Sequence, residues 1–158
     1  MIALKFASVL VALSINALPC AFNLQPTPQY NPLHFINNDP MWEVFDKANV
    51  ISDDKKGEYQ ATFPPELLQL EGTRIRIAGF MMPLETNEQA LHFILVRRNT
   101  ACPFCPPNKP TEAVEVFNQD LVKYTGEEIT VMGHLTLVSS SAEGLFFRLD
   151  RAQVLKAG

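Results

Sequence analysis

Five apolar-patterned stretches between Thr73 and Leu155, two of them with a glycine in mid-stretch, constrain the fold of this chain more than any other feature. Thr73–Met82 sets Ile75 and Ile77 against Arg74 and Arg76, the period of two expected of a half-buried strand, and Gly79 offers a bend. Ala90–Arg98 is almost continuously apolar, as a strand covered on both faces would be. Thr111–Phe117, with Ala113 and Val114 among acidic neighbours, reads as a third, shorter strand. Glu128–Val138 places Ile129, Val131, Gly133, Leu135 and Leu137 on one face, and Leu145–Leu155 opposes Phe147 and Leu149 to Arg148 and Asp150. Ser139–Gly144 supplies the hairpin turn between these two. Strand glycines allow sharp coiling, so the set can close on itself. The expected fold is mainly β: a small five-stranded antiparallel barrel of the oligonucleotide/oligosaccharide-binding (OB) type with one or two short helices. A β-sandwich is the alternative.

Upstream of these strands the chain changes character twice. Residues 1–21 carry one cation, Lys5, followed by the apolar run Phe6–Leu18, which is the layout of a secretory signal. That run is too short to span a bilayer and no second one follows. Cleavage after Ala21 gives a soluble periplasmic protein; lipid attachment at Cys20 is the competing outcome, against which Pro19 is a poor neighbour. Residues 22–40 hold Pro26, Pro28, Pro32 and Pro40 and read as an extended tether. The folded domain is then 41–158. Within it Met41–Ile51 has apolar residues at helical spacing (Met41, Val44, Phe45, Ala48), forming a short helix or arm with Trp42 as a packing anchor. Ser52–Glu58 reads as a charged loop, and Pro64–Leu70 as a second short helix that stops before Gly72.

A formal net charge of −4 argues against nucleic acid as a partner, because that affinity rests on neutralising phosphates with Lys and Arg. Neither G-x-S-x-G nor H-E-x-x-H occurs, and the seven glycines are scattered, so no phosphate-cradling loop is spelled out. No pair of carboxylates is singled out for acid–base work.

The remaining feature with possible chemistry is Ala101–Pro110, in which Cys102 and Cys105 stand among four prolines. With Cys20 removed, these are the only thiols, and in an oxidising compartment two nearby thiols pair as a disulfide. Such a bridge stiffens a loop with Phe104 at its tip, and a stiff loop loses little entropy on docking. A zinc or copper site is the alternative; Cys102 and Cys105 supply half of a tetrahedral set, with His92 and His134 as the candidate remainder and His34 a further imidazole. Thiol–disulfide exchange is the third reading. It needs a helix N-terminus to stabilise the thiolate; Pro106 and Pro107 could open a helix, but Pro110 would break it within a turn.

Gly79-Phe80-Met81-Met82-Pro83-Leu84, His92-Phe93-Ile94-Leu95 and Ala101-Cys102-Pro103-Phe104-Cys105-Pro106-Pro107, with Val131-Met132-Gly133 and Leu145-Phe146-Phe147-Arg148-Leu149, resemble the bacterial domain-of-unknown-function family 3299. The resemblance spans about Trp42 to Leu155. It implies a secreted or lipid-anchored envelope protein associated with an ATP-driven export or release transporter, or with metal handling, and carries over no catalytic residue. Together these readings give a non-catalytic periplasmic accessory protein without a cofactor of its own. Its expected partner is another envelope protein, such as an ATP-driven transporter component. The expected contact surface is Pro103, Phe104, Pro106 and Pro107 with the neighbouring Phe80 and Met82.

Overall fold

The computed structural model describes residues 36–53, 57–99 and 109–157. The expected signal, most of the expected tether, His34, and the whole Cys102–Pro107 run lie outside the described residues.

Helix α1 (Pro40–Phe45) opens at the end of the tether, where Asp39 caps it by accepting from the Met41 backbone N–H at 3.0 Å and Pro40 occupies its first turn. It is shorter than the spacing of Met41–Ile51 predicts. From Asn49 the chain instead forms β1 (Asn49–Asp53), which pairs antiparallel with β2 (Glu58–Thr62). Of the charged run Ser52–Glu58, expected to be a loop, Ser52, Asp53 and Glu58 are thus strand residues, and Gly57 takes φ +66° just before β2. The β-branched pair Val50-Ile51 favours extended backbone over another helical turn. Helix α2 (Pro65–Leu68) follows, one turn long, and buries Leu67.

The barrel consists of β3 (Arg74–Pro83), β4 (Gln89–Val96), β5 (Ala113–Lys123), β6 (Glu128–Leu137) and β8 (Phe147–Ala157), closed in the order β3-β4-β5-β8-β6. The short β7 (Ser140–Ser141), inside the expected hairpin turn, pairs with β2 and completes a three-stranded sheet β1-β2-β7. The closed five-stranded barrel is thus present, but it is mixed and not antiparallel throughout. β5 and β8 run parallel, Glu115 opposite Arg148 and Val116 opposite Leu149. The reason is arithmetic. Five strands in a ring cannot alternate direction at every step, so closure forces at least one parallel neighbour pair.

Alternation along the strands selects the interior. Ile75, Ile77, Ile129, Val131, Leu135 and Leu149 point inward and are buried, while Arg74 and Arg76 are exposed. Helix α1 adds Trp42 and Phe45 to this core; Phe45 stacks on Phe147 with ring centres 4.1 Å apart. Two side chains of the α1 end also satisfy one backbone residue of β3: the Trp42 indole donates to the Ala78 carbonyl at 2.8 Å, and Asp39 accepts from the Ala78 N–H at 3.0 Å. A smaller cluster on the opposite face of the β3–β4 pair contains Phe80, Ile94, Val96 and Ala113, with Met82 and Leu145 packed against it. The apolar run of β4 is thus covered on both faces over Phe93–Val96.

Candidate functional site

The outer face of β4, β5 and β8 carries a row of side chains that cross-strand register brings together. His92 lies opposite Phe117, and their rings stack nearly parallel at 4.2 Å. The His92 Nε2 is 2.9 Å from a Glu115 carboxylate oxygen. From β8, the Arg148 guanidinium sits 5.9 Å from the centre of the Phe117 ring, while its Nε donates to Asp150 at 3.2 Å. Asp150 also accepts from the Thr136 hydroxyl at 2.7 Å. These pairs fix the row without burying it, as expected where charges remain within reach of water.

Between this row and the β6–β8 connection lies an open groove of about 530 Å³, lined by Leu84, His92, Ile94, Glu115, Leu145 and Arg148 among others. The connection contributes Ser140, Ser141 and Glu143, and the Ser141 hydroxyl donates to Glu143 at 3.4 Å. The β3–β4 turn contributes Leu84. In barrels of the OB type, the face of the second and third strands, with the loops joining strands one to two and four to five, takes the ligand. Here those strands are β4 and β5, and those loops are the β3–β4 turn and the β6–β8 connection. The groove's residues are spread from Leu84 to Arg148, so no local motif announces them.

The ends of the Cys–Pro connection between β4 and β5 are held by a second polar cluster. Glu112, only 2% exposed, accepts from Arg98 through both carboxylate oxygens, with Nε at 3.0 and 3.2 Å and Nη2 at 3.1 Å. Arg97 donates to Asp46 at 3.2 Å, Asp46 also accepts from the Thr111 hydroxyl, and Lys109 stands 4.0 Å from it. The Arg98 guanidinium is held above its ordinary pKa first by the hydrogen bond to Glu112 and then by that carboxylate's charge. Arg97 and Arg98, which look like a local basic pair in the sequence, are thus tied to carboxylates and are not a free cationic patch.

The sequence-predicted site residues fall in different places. His92 lines the groove. His134 lies opposite Arg74 and Asp150 on β6, while His92 is beyond the Pro83–Phe93 pair at the other end of β3. Round the wall through β5 and β8, His92 lies opposite Phe117 and His134 opposite Asp150, so about three strand spacings, roughly 14 Å, separate the two residues, with Phe117 and Arg148 between them. Among the described residues no group of three or more His, Cys, Asp or Glu side chains converges on a metal position. Phe80, 6% exposed, is part of the small second cluster and presents no ring to solvent; Met82 packs against it. Exposed Leu84 is the side chain of that segment open to a partner. Cys102, Pro103, Phe104, Cys105, Pro106 and Pro107 lie outside the described residues.

A family model described as "Protein of unknown function (DUF3299)" matches residues 29–147, which includes every strand of the barrel except most of β8. The chain belongs to the DUF3299 family. A crystal structure of a DUF3299 family protein from Pseudomonas aeruginosa PAO1 is 22% identical in sequence. It superposes with a TM-score of 0.47 over 62% of this chain and 69% of that one. No curated protein matches. Among the described residues of this DUF3299 chain, no helix is long and apolar enough to cross a membrane.

Proposed function

We propose that this DUF3299 protein is a non-catalytic accessory protein of the bacterial envelope, which captures another envelope component on the β4–β5–β8 face of its barrel. The observation that carries the reading is the groove itself. It combines an apolar lining (Leu84, Ile94, Leu145) with a polar row whose members are already oriented by one another (His92 on Glu115, Arg148 on Asp150). Pre-positioned polar groups beside apolar surface lower the ordering cost of binding. The signal-like residues 1–21 support export to the periplasm, and the family resemblance supports a partner among ATP-driven transporter components or metal-handling proteins. The Cys–Pro connection, whose two ends are braced by Arg98–Glu112 and Arg97–Asp46, is the second contact in this reading.

The test is capture from intact cells by chemical crosslinking, comparing the natural protein with a His92→Ala/Arg148→Gln variant shown by circular dichroism to keep its strand content. The expected result is a discrete adduct containing an envelope membrane protein, strongly reduced in the variant. An adduct of undiminished yield contradicts the assignment of the groove, and finding only cytoplasmic partners contradicts the envelope role.

A further inference from the structure

We infer that the groove seats a lysine side chain of the captured envelope protein, its stem on the apolar lining and its ammonium against Glu115 and Glu143; this rests on the groove being the binding face. Register sets Ile94, Glu115 and Arg148 side by side across β4, β5 and β8. Glu115 and Arg148 are thus neighbours of opposite charge, yet Arg148 is engaged elsewhere. Its Nε donates to Asp150 at 3.2 Å, and its guanidinium sits 5.9 Å from the centre of the Phe117 ring. Glu115 is bonded instead to His92, whose Nε2 lies 2.9 Å from Oε1 and which, unlike lysine or arginine, is no permanent cation. The Glu115 side chain is only 24% exposed. A carboxylate so far withdrawn from water, with no lysine or arginine bonded to it among the described residues, has lost hydration without the usual compensation. Glu143, on the β6–β8 connection, accepts through Oε2 from the Ser141 hydroxyl at 3.4 Å, and among the described residues no cation is bonded to it either.

Charge and chemistry together narrow the occupant. The Arg148–Asp150 pair is closed on itself, so Glu115 and Glu143 leave the groove with surplus negative charge, which attracts a cation and repels an anion. Among cations, a bare divalent ion needs several converging ligands, and no three His, Cys, Asp or Glu side chains converge among the described residues. Leu84, Ile94 and Leu145 put aliphatic surface beside the two carboxylates. That combination matches a side chain that lays an apolar stem on a surface and carries its charge at the far end. Lysine fits better than arginine. A guanidinium fork engages both oxygens of one carboxylate, whereas one oxygen of Glu115 is held by His92 and one of Glu143 by Ser141. Each acid therefore offers a single clear oxygen, the match for a compact ammonium.

The experiment uses Nα-acetyl-lysine methylamide as the probe, with its arginine and norleucine counterparts and the free diamine putrescine for comparison. Backbone amide shifts of the full mature chain are followed by NMR, for the natural protein and for Glu115→Gln. The expected result is saturable shifts at Leu84, Ile94, Glu115, Glu143 and Leu145 with the lysine probe. Affinity should be about tenfold weaker for the norleucine probe, and for the lysine probe in Glu115→Gln, the scale of a charge-assisted hydrogen bond. The arginine probe and putrescine should also bind more weakly than the lysine probe. Equal affinity for the lysine and norleucine probes overturns the cationic occupant while leaving the groove as a binding face. Tighter binding of the arginine probe overturns the choice of lysine, and tighter binding of putrescine overturns a protein side chain as the source. Shifts confined to other surfaces overturn the groove and the inference with it. Glu143→Gln guards against a folding artefact, since Glu143 is exposed on a connection. It should weaken the lysine probe and leave the norleucine probe unchanged; unaltered lysine affinity in both variants overturns the inference.

Discussion

Gly79 precedes the residue at which β3 changes neighbour: it pairs with β6 through Phe80, and with β4 from Phe80 to Pro83. A Cβ at Gly79 would lie 2.8 Å from the Val96 carbonyl oxygen and 3.1 Å from Trp42, so backbone and an anchored ring would both have to move. Gly79→Ala should therefore lower stability by about 1–3 kcal/mol, whereas Gly126→Ala, which meets nothing within 4 Å, should change it by less than about 0.5 kcal/mol. Urea denaturation of the two variants checks the contrast. The Arg98–Glu112 pair gives a second prediction. Removing its charge with Glu112→Gln should cost about 1–2 kcal/mol, discounted because Arg98 is partly exposed. A base whose pKa is raised on folding contributes stability below its unfolded value and loses it only as pH climbs through the folded one. For a guanidinium that window lies above the working range, so the pair should persist to roughly pH 11. In Arg98→Lys the same contribution should fade from about pH 10, and the stability gap between the two proteins should widen there.

At the scale of elements, β8 contains one of the register shifts that shape the barrel wall. Met132 pairs with Gln153 and His134 with Asp150, so two residues of β8 face one of β6, and Arg151 takes φ +50° at the extra position. Gly133 makes room for it, since a Cβ there would meet those of Leu149 and Ala152 at 3.1 Å. Left-handed backbone costs an ordinary residue about 1–2 kcal/mol. Arg151→Gly should accordingly leave stability unchanged or raise it by up to about 1 kcal/mol, and Arg151→Val should lower it by about 1–2 kcal/mol, both read from denaturation midpoints. Much of the barrel was legible at this scale. Alternation along β3, β6 and β8 identifies inward faces directly, because a side-chain period of two survives any pairing partner. The bulge did not announce itself, since nothing about Arg151 marks it as the residue to be displaced. The β1–β2 hairpin was hidden by Met41–Ala48, whose helical spacing runs into Asn49 without a break, and by strands too exposed to show alternation.

For the molecule as a whole, the described core is built of aliphatic and aromatic side chains from the barrel, α1, α2 and β2, and these pack against one another on all sides. Replacing Cys102 and Cys105 together by Ser should therefore leave the barrel folded. The stability loss should not exceed about 2 kcal/mol, the scale for a bridge closing so short a loop. A thermal melt paired with circular dichroism checks this. The parallel β5–β8 pair follows from closure of five strands, so it could have been deduced once a closed barrel was expected. The groove could not. Leu84, His92, Glu115 and Arg148 stand on four different elements and meet only through the pairing of β4, β5 and β8. Single residues gave no signal stronger than that of an ordinary solvated strand face.

The central claim is that one face of this barrel is the binding face. A photocrosslinking amino acid placed in turn at Leu84 and at Arg76, an exposed position on β3, tests it most directly in living cells. A partner adduct that forms from Leu84 and not from Arg76 is the predicted result. Adducts of equal yield from both positions, or from Arg76 alone, would contradict it.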